Sequence, residues 1–265
     1  MQVDHRSNAY DARKERAWHV SALLSPEANA WCVHDTVSGA CVALISGGPG
    51  DLPGSASLPV RPASVTFTAL PEISTLIPES ALAPGSEMAH LRSVHGHVPT
   101  GLLRDEPIGA LGARCIYLHD EEAEHRLMSR FPSARPLPLQ AVLVQTAIAR
   151  SSERTTLLLH RGAKRLDLVL AHRQHLLLSN TFHAVDAEDA LYYTLFVLER
   201  CGYAPADVRV LTGGTHFTET EEALLARYLP DLAPCITKDH PSIQGIGIER
   251  PAHWAGLLLQ FACAS

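Results

Sequence analysis

No C-x-x-C pair occurs among the six cysteines of this chain, and no stretch approaches the roughly 18 to 20 apolar residues that a membrane-spanning helix needs. The longest apolar runs, such as those holding Leu176-Leu177-Leu178 and Leu257-Leu258-Leu259, are short and flanked by polar groups. Cys32, Cys41, Cys115, Cys201, Cys235 and Cys263 are scattered, mostly in apolar runs where a thiol behaves as a small hydrophobe. They read as reduced structural residues, with neither metal nor disulfide expected. Also missing are the G-x-S-x-G elbow, the Gly-Lys-Ser P-loop and the G-x-G-x-x-G turn; Gly47-Gly48-Pro49-Gly50 lacks the lysine that phosphate binding would need. Positive charge is not in excess, since the formal net charge is -6, so nucleic acid is not an expected partner. The polar stretch Met1 to Arg16 carries charges of both signs and lacks the apolar core of a secretory signal. It predicts a cytoplasmic chain with a flexible tail over residues 1–16 and no membrane span.

What is present is an ordinary globular composition, 46% hydrophobic over 265 residues, enough for two cores of roughly 100–150 residues each. Three short strand-like runs, Trp18 to Leu24, Ala30 to His34 and Ala40 to Ile45, form a meander with turns at Pro26 to Asn29 and Ser38-Gly39. Residues 47–62 then hold four glycines and four prolines and are expected to be irregular. Apolar strands follow at Val65 to Ala69 and Ile73 to Ile77, the latter ending at Pro78. Residues 86–113 carry no clear period, with strands expected around Gly101 to Arg104 and Arg114 to Leu118. Asp120 caps a helix to about Phe131, where Ala123, Leu127 and Phe131 recur at helical spacing, and a second helix spans Leu139 to Arg150.

A second meander starts at Thr155: Thr155 to Leu159, Leu166 to Ala171 and His175 to Ser179, with turns at Arg161-Gly162 and His172-Arg173. Asp186 then caps a helix striped with Leu191, Leu195 and Leu198 and closed by Gly202. Val208 to Leu211 is a buried strand, Gly213-Gly214 a tight turn, and Thr218 with Glu221 a capping box. A short strand near Cys235 to Thr237 and a helix from His253 to Cys263 end the chain. The order strand-strand-strand-helix-strand-helix-strand resembles an RNase H-like unit, and the first half begins with the same meander. Two such units in tandem resemble the actin, sugar kinase and Hsp70 superfamily. The expected architecture is therefore α/β: a first RNase H-like half over 17–118, linking helices over 119–150, and a second half with a C-terminal helix over 151–265, with mixed sheets flanked by helices.

Val210-Leu211-Thr212-Gly213-Gly214-Thr215-His216-Phe217 resembles the adenosine motif of that superfamily, in which side-chain-free glycines let the backbone lie against a base and ribose. The run Leu176-Leu177-Leu178-Ser179-Asn180-Thr181-Phe182-His183 through Asp189-Ala190-Leu191-Tyr192-Tyr193, with Thr75-Leu76-Ile77-Pro78, resembles an uncharacterised bacteroidete domain-of-unknown-function family, 3822. That resemblance implies a bacterial protein related to the type IV pilus actin-like ATPases, and it implies no activity. In the superfamily a hairpin strand ends in Asp-x-Gly, whose carboxylate coordinates magnesium or positions the attacking water. Here Leu159-His160-Arg161-Gly162-Ala163-Lys164 keeps the glycine but has His160 at the carboxylate position, and imidazole is a poor ligand for a hard oxygen-preferring ion. The first hairpin turn, Leu24-Ser25-Pro26-Glu27-Ala28-Asn29, has neither glycine nor Asp-x-Gly.

Phe182 and Tyr192 are expected to pack between sheet and helix, and Asn180 to bond backbone in the turn. Fifteen histidines offer no metal-ligand spacing; His95 and His97 would share a strand face without a third ligand, and His172 and His175 would point apart. The expectation is a pseudo-ATPase scaffold for an unknown protein partner or for self-association, with no catalytic residues, no metal and no required cofactor. One alternative is a nucleotide-binding switch with ATP held at a degenerate site of His160, Gly162, Lys164, Gly213, Gly214 and Thr215. Another is a small-molecule enzyme working between the halves.

Overall fold

The structure, a computed structural model, describes residues 3–50 and 52–264. The chain divides into two compact units, Met1–Val142 with Lys238–Glu249 and Leu257–Ser265, and Leu143–Thr237 with Arg250–Gly256.

In the first unit, β1 (Val3–Arg6), β2 (Trp18–Leu24), β3 (Asn29–Asp35), β4 (Cys41–Gly47) and β5 (Ser64–Ala69) belong to a six-stranded sheet completed by β9 (Arg135–Pro136), in the order β1-β4-β3-β2-β5-β9. β2, β3 and β4 run antiparallel as the expected meander, and β5 and β9 join parallel to β2 and β5. β1 was not foreseen: the described part of the expected tail pairs antiparallel with β4, Val3 opposite Ser46 and Arg6 opposite Ala43. A polar strand is tolerated there because an edge strand needs only one partner and half its groups face water. Residues 1–2 lie outside the described residues.

A second, three-stranded sheet of the same unit runs β6-β8-β7, from β6 (Ile73–Pro78), β7 (Leu102–Ile108) and β8 (Ala113–His119), covered by α1 (Glu87–His95). The helix α1 lies within the stretch that carried no clear period. Only Leu91 of its side chains is buried, so its apolar stripe is too narrow to read. It also corrects the strand expected at His95 and His97: His95 is the last residue of α1, and its Nε2 lies 3.0 Å from the Ser74 carbonyl. α2 (Glu121–Arg130) starts at Asp120, whose carboxylate accepts the Glu122 N–H at 2.8 Å, and buries Ala123, Glu124 and Leu127. Among the described residues of 48–63 the only regular element is a 3-10 turn at Ser55–Ser57.

The division between units falls within α3 (Leu139–Arg150). In the second unit β10 (Thr156–Arg161), β11 (Arg165–His172), β12 (His175–His183), β13 (Arg209–Gly213) and β14 (Leu232–Pro234) form one sheet in the order β12-β11-β10-β13-β14. Its first three strands are antiparallel and its last two join in parallel, which repeats β4-β3-β2-β5-β9 strand for strand. The expected tandem RNase H-like halves are thus present as two sheets of one topology.

α4 (Ala187–Arg200) is capped by Asp186, which accepts the Asp189 N–H at 2.8 Å, and buries Ala190, Thr194, Val197 and Leu198 against the sheet. Burial of side chains the size of Val197 and Leu198 stabilises by roughly 1.5–3 kcal/mol each. α5 (Glu219–Ala226) opens with the Thr218/Glu221 capping box. The last strand lies slightly earlier than expected, and the C-terminal helix is broken. Pro251–Trp254 is a 3-10 turn, α6 covers only Ala255–Leu258, and Leu259–Cys263 is again 3-10. Proline at the first position and a glycine at 256 leave little to propagate an α-helix through this apolar run.

Candidate functional site

The end of β10 is where the sequence placed the substituted phosphate loop. The strands run to Arg161 and restart at Arg165, so the turn spans 162–164 and Asp167 of β11 stands directly across from His160. Both are buried. The Asp167 carboxylate accepts from Arg165 Nε at 2.8 Å and from the Thr181 hydroxyl of β12 at 2.7 Å, and its Oδ2 lies 3.6 Å from His160 Nδ1. Burial alone would push its pKa up; the Arg165 charge, the His160 ring and the Thr181 hydroxyl outweigh that and hold it below the usual carboxylate range. An acidic group therefore does stand beside His160, and it already accepts from the Arg165 and Thr181 side chains.

Arg161 is equally committed. Its Nε donates to Glu221 Oε1 at 2.7 Å, with the two side chains only 4% and 5% exposed, and its Nη1 donates to the carbonyls of Gly162 at 2.8 Å and Ala184 at 2.9 Å. The other Glu221 oxygen accepts the Thr218 N–H at 3.0 Å, so the N-terminal turn of α5 is joined to the end of β10 through one carboxylate. A guanidinium desolvated this far, with Nε and Nη1 bonded within the chain, presents little surface to a solvent anion.

Gly213 and Gly214 end β13 beside β10, Gly213 in register with His160. A Cβ at Gly213 would lie 2.9 Å from Cys235 Sγ, 2.9 Å from the Ala255 Cβ and 3.0 Å from the Ala252 oxygen. Gly214 has φ +107°, its N–H donates to the Ala252 carbonyl at 2.9 Å, and a Cβ there would lie 2.8 Å from the carbonyl carbon of Arg161 and nearer still to its oxygen. The absence of both side chains is thus required by contacts within this chain, with Cys235, Ala255 and Ala252 at Gly213 and with the Arg161 backbone at Gly214. Thr215 is exposed, its hydroxyl 3.0 Å from His216 Nδ1; Gly162 closes the hairpin by donating to Arg165 O at 2.8 Å; Lys164 is exposed at the tip. The structure brings His160, Gly213 and Gly214 together and leaves Lys164 and Thr215 on the surface.

The first hairpin is closed in the same self-contained way. Ser25 Oγ donates to the Ala28 carbonyl at 2.7 Å, the Ser25 N–H donates to Asn29 Oδ1 at 3.1 Å, and Asn29 Nδ2 donates to the Gly50 carbonyl. A cavity of about 250 Å³ beside it is lined by Leu24, Gly50, Leu52, Ser55, Arg126, Leu127 and Arg130, and Arg130 already donates to the Ser55 carbonyl at 2.6 Å.

Sequence reasoning missed Asp167, Thr181 and Glu221 as partners of this layer. The signal for Asp167 was the hairpin register, obscured by a turn expected at Arg161-Gly162. It also exchanged two aromatics: Tyr193 stacks on Phe182 at 4.5 Å, whereas Tyr192 is 62% exposed. Asn180 does bond backbone, accepting the Thr181 N–H at 2.9 Å, but it does so within β12 and not in the expected turn. A second buried cluster, in the first unit, joins β7, β8 and α2. Glu124 lies 2.6 Å from Arg104 Nη2 and 2.7 Å from His119 Nε2; burial raises its pKa, and the hydrogen bonds from Arg104 and His119 outweigh that and lower it. Burial lowers that of His119 despite the carboxylate.

Three solved structures share this architecture. A Bacteroides thetaiotaomicron protein with actin-like ATPase fold and unknown function is 17% identical, with a TM-score of 0.76 over 97% of this chain and 100% of that one. The PilM–PilN type IV pilus biogenesis complex contains a chain 16% identical, with a TM-score of 0.54 over 94% of this chain and 99% of that one. The ethanolamine utilization protein EutJ from Carboxydothermus hydrogenoformans is 10% identical, with a TM-score of 0.52 over 96% and 92%. At such identities the likeness concerns the fold, which is that of the actin-like ATPases. No curated protein matches the chain in sequence. The family profile described as "Protein of unknown function (DUF3822)" matches residues 64–231, more than half of the chain, and the chain belongs to that family.

Proposed function

We propose that this protein is a pseudo-ATPase, an actin-like scaffold that binds a protein partner or a second copy of itself and hydrolyses no nucleotide. The observation that carries this reading is the layer at the end of β10, whose charged side chains are bonded to one another within the chain. A magnesium nucleotide needs carboxylate oxygens free to coordinate and donors free for phosphate. Here the carboxylate beside His160, Asp167, is held by Arg165 and Thr181, and the second carboxylate at this end of the strand, Glu221, is held by Arg161. The two glycines that would admit an adenosine are packed on Ala252, Ala255 and Arg161.

Two features support a binding role. One fold relative is seen in the PilM–PilN complex, an assembly of two proteins. On this chain, β12 is a nine-residue sheet edge with much of its length exposed, and Tyr192, Phe196 and Val185 expose apolar surface on α4 and just before it.

Calorimetric titration with Mg-ATP, paired with a phosphate-release assay, tests the reading. The expected result is no saturable heat and no phosphate. A ligand at 100 times its Kd would stabilise the fold by about 2.7 kcal/mol, so a thermal-shift screen of nucleotides would register real binding. Saturable binding with turnover overturns the pseudo-ATPase. Saturable binding without turnover moves the assignment to a switch built on Gly162, Lys164, Gly213, Gly214 and Thr215.

A further inference from the structure

The first unit contains a group of soft ligands that the sequence spacing concealed. Along β3, Cys32 and His34 are two residues apart and so share a face, opposite the one on which Trp31 and Val33 enter the apolar core. The pairing of β3 with β4 has a bulge between Val33 and His34, so His34 stands across from Cys41. Without that extra residue Cys41 would face the other side of the sheet. With it, Cys32, His34 and Cys41 each place a ligand atom within 4.8 Å of the others, and all three residues are buried.

The spacing already suits coordination. Cys32 Sγ is 3.8 Å from His34 Nδ1. A sulfur at about 2.3 Å and an imidazole nitrogen at about 2.1 Å from one ion are about 3.6 Å apart at a tetrahedral angle and about 3.8 Å at a trigonal one. The imidazole is also held in place: Phe261 stacks on it with centroids 4.7 Å apart and planes 8° from parallel. Cys32 Sγ is 3.9 Å from the Leu257 carbonyl and Cys41 Sγ 3.4 Å from that of Ala43, contacts too weak to fix either thiol against an ion.

We propose that Cys32, His34 and Cys41 form a binding site for one thiophilic d10 cation, Cu(I) or Zn(II). Two thiols and an imidazole are the donor set these ions select, whereas Mg(II) and Ca(II) take oxygen. Binding displaces two thiol protons to solvent and changes no oxidation state. Two terms separate the ions. Three ligands complete the coordination of Cu(I), while Zn(II) calls for a fourth and the described group offers none. Two thiolates neutralise Zn(II), while they leave Cu(I) with one net negative charge in a buried site. The inference is independent of the nucleotide reading, which rests on the end of β10 in the other unit.

The test uses the full chain, reduced and stripped of metal under anaerobic conditions, then loaded in separate arms with Cu(I) as its acetonitrile complex and with Zn(II). After desalting against a competing chelator, metal per chain is measured by mass spectrometry. The expected result is one equivalent of one of the two ions, falling at least tenfold in Cys32→Ser and in Cys41→Ser and unchanged in Cys201→Ser. Circular dichroism checks that the variants are folded. X-ray absorption at the metal edge of the loaded wild-type protein needs no variant, and the expected shell is two sulfurs and one imidazole nitrogen. Retention of neither ion, equal retention by the Cys32 and Cys41 variants, or a shell without sulfur overturns the proposal.

Discussion

Replacing Glu221 by alanine strands the Arg161 guanidinium in a site where both side chains are at most 5% exposed. Removing one partner of a buried ion pair costs about 3–5 kcal/mol, because the remaining charge stays desolvated. The same carboxylate closes the capping box of α5 by accepting the Thr218 N–H, a hydrogen bond whose loss costs about 0.5–1.5 kcal/mol in its own right. The two losses share one side chain and do not add fully, so a decrease of at least about 3 kcal/mol is expected. With a urea m-value of about 1–3 kcal/mol/M, the unfolding midpoint followed by circular dichroism falls by roughly 1–3 M. The double variant Arg161→Met/Glu221→Leu removes both charges and is expected to recover part of that loss, leaving the Gly162 and Ala184 carbonyls without their donor and the Thr218 N–H without its acceptor. A loss below about 1 kcal/mol for Glu221→Ala would refute the reasoning. Arg161 would then have water or another partner within reach, and it would return as an anion receptor at the hairpin.

Gly214→Ala forces a side chain into a φ of +107° and into the Arg161 backbone, and is expected to cost more than about 2 kcal/mol; a thermal midpoint equal to wild type would show that the turn can yield. Asp167 has a depressed folded pKa, so its stabilisation is present above the unfolded value of about 3.9 and is lost as pH falls through the lower folded one. Urea midpoints between pH 5 and pH 2 should therefore fall less steeply in Asp167→Asn than in wild type, and parallel curves would contradict the assigned contacts. His19 is held neutral, its pKa lowered to about 4 by burial first and the Arg135 charge second. The unfolded chain takes up that proton below about 6.5, so stability is full above this pH and declines towards 4, by about 2 kcal/mol at pH 5. In the metal-free protein His19→Gln should remove that part of the slope, and a wild-type slope retained in the variant would refute it.

The legible parts of this protein are those with local causes. Alternating or continuous apolar runs marked both meanders, and the caps at Asp120, Asp186 and Thr218 marked three helices, because a side-chain oxygen two or three residues from an N–H acts within a single turn. β1 and α1 were not legible. Val3–Arg6 acquires a partner only across the sheet from Ala43–Ser46, and α1 buries Leu91 alone, so neither prints an apolar period. Tyr192 and Tyr193 show the limit at single-residue resolution: a step of one position along a helix turns a side chain by about 100°, which sends one ring onto Phe182 and the other into solvent.

The sequence by itself determined the twofold strand order, the two glycines at the end of β13, and the replacement of an expected aspartate by His160. Tertiary structure decided what those residues mean. Asp167 meets His160 through hairpin register, Glu221 reaches Arg161 across 60 positions of chain, and a single bulge puts Cys41 opposite His34. Secondary structure answers to neighbours within a few residues, whereas the partner of a buried charge is chosen by which strands and helices must pack together to exclude water from it.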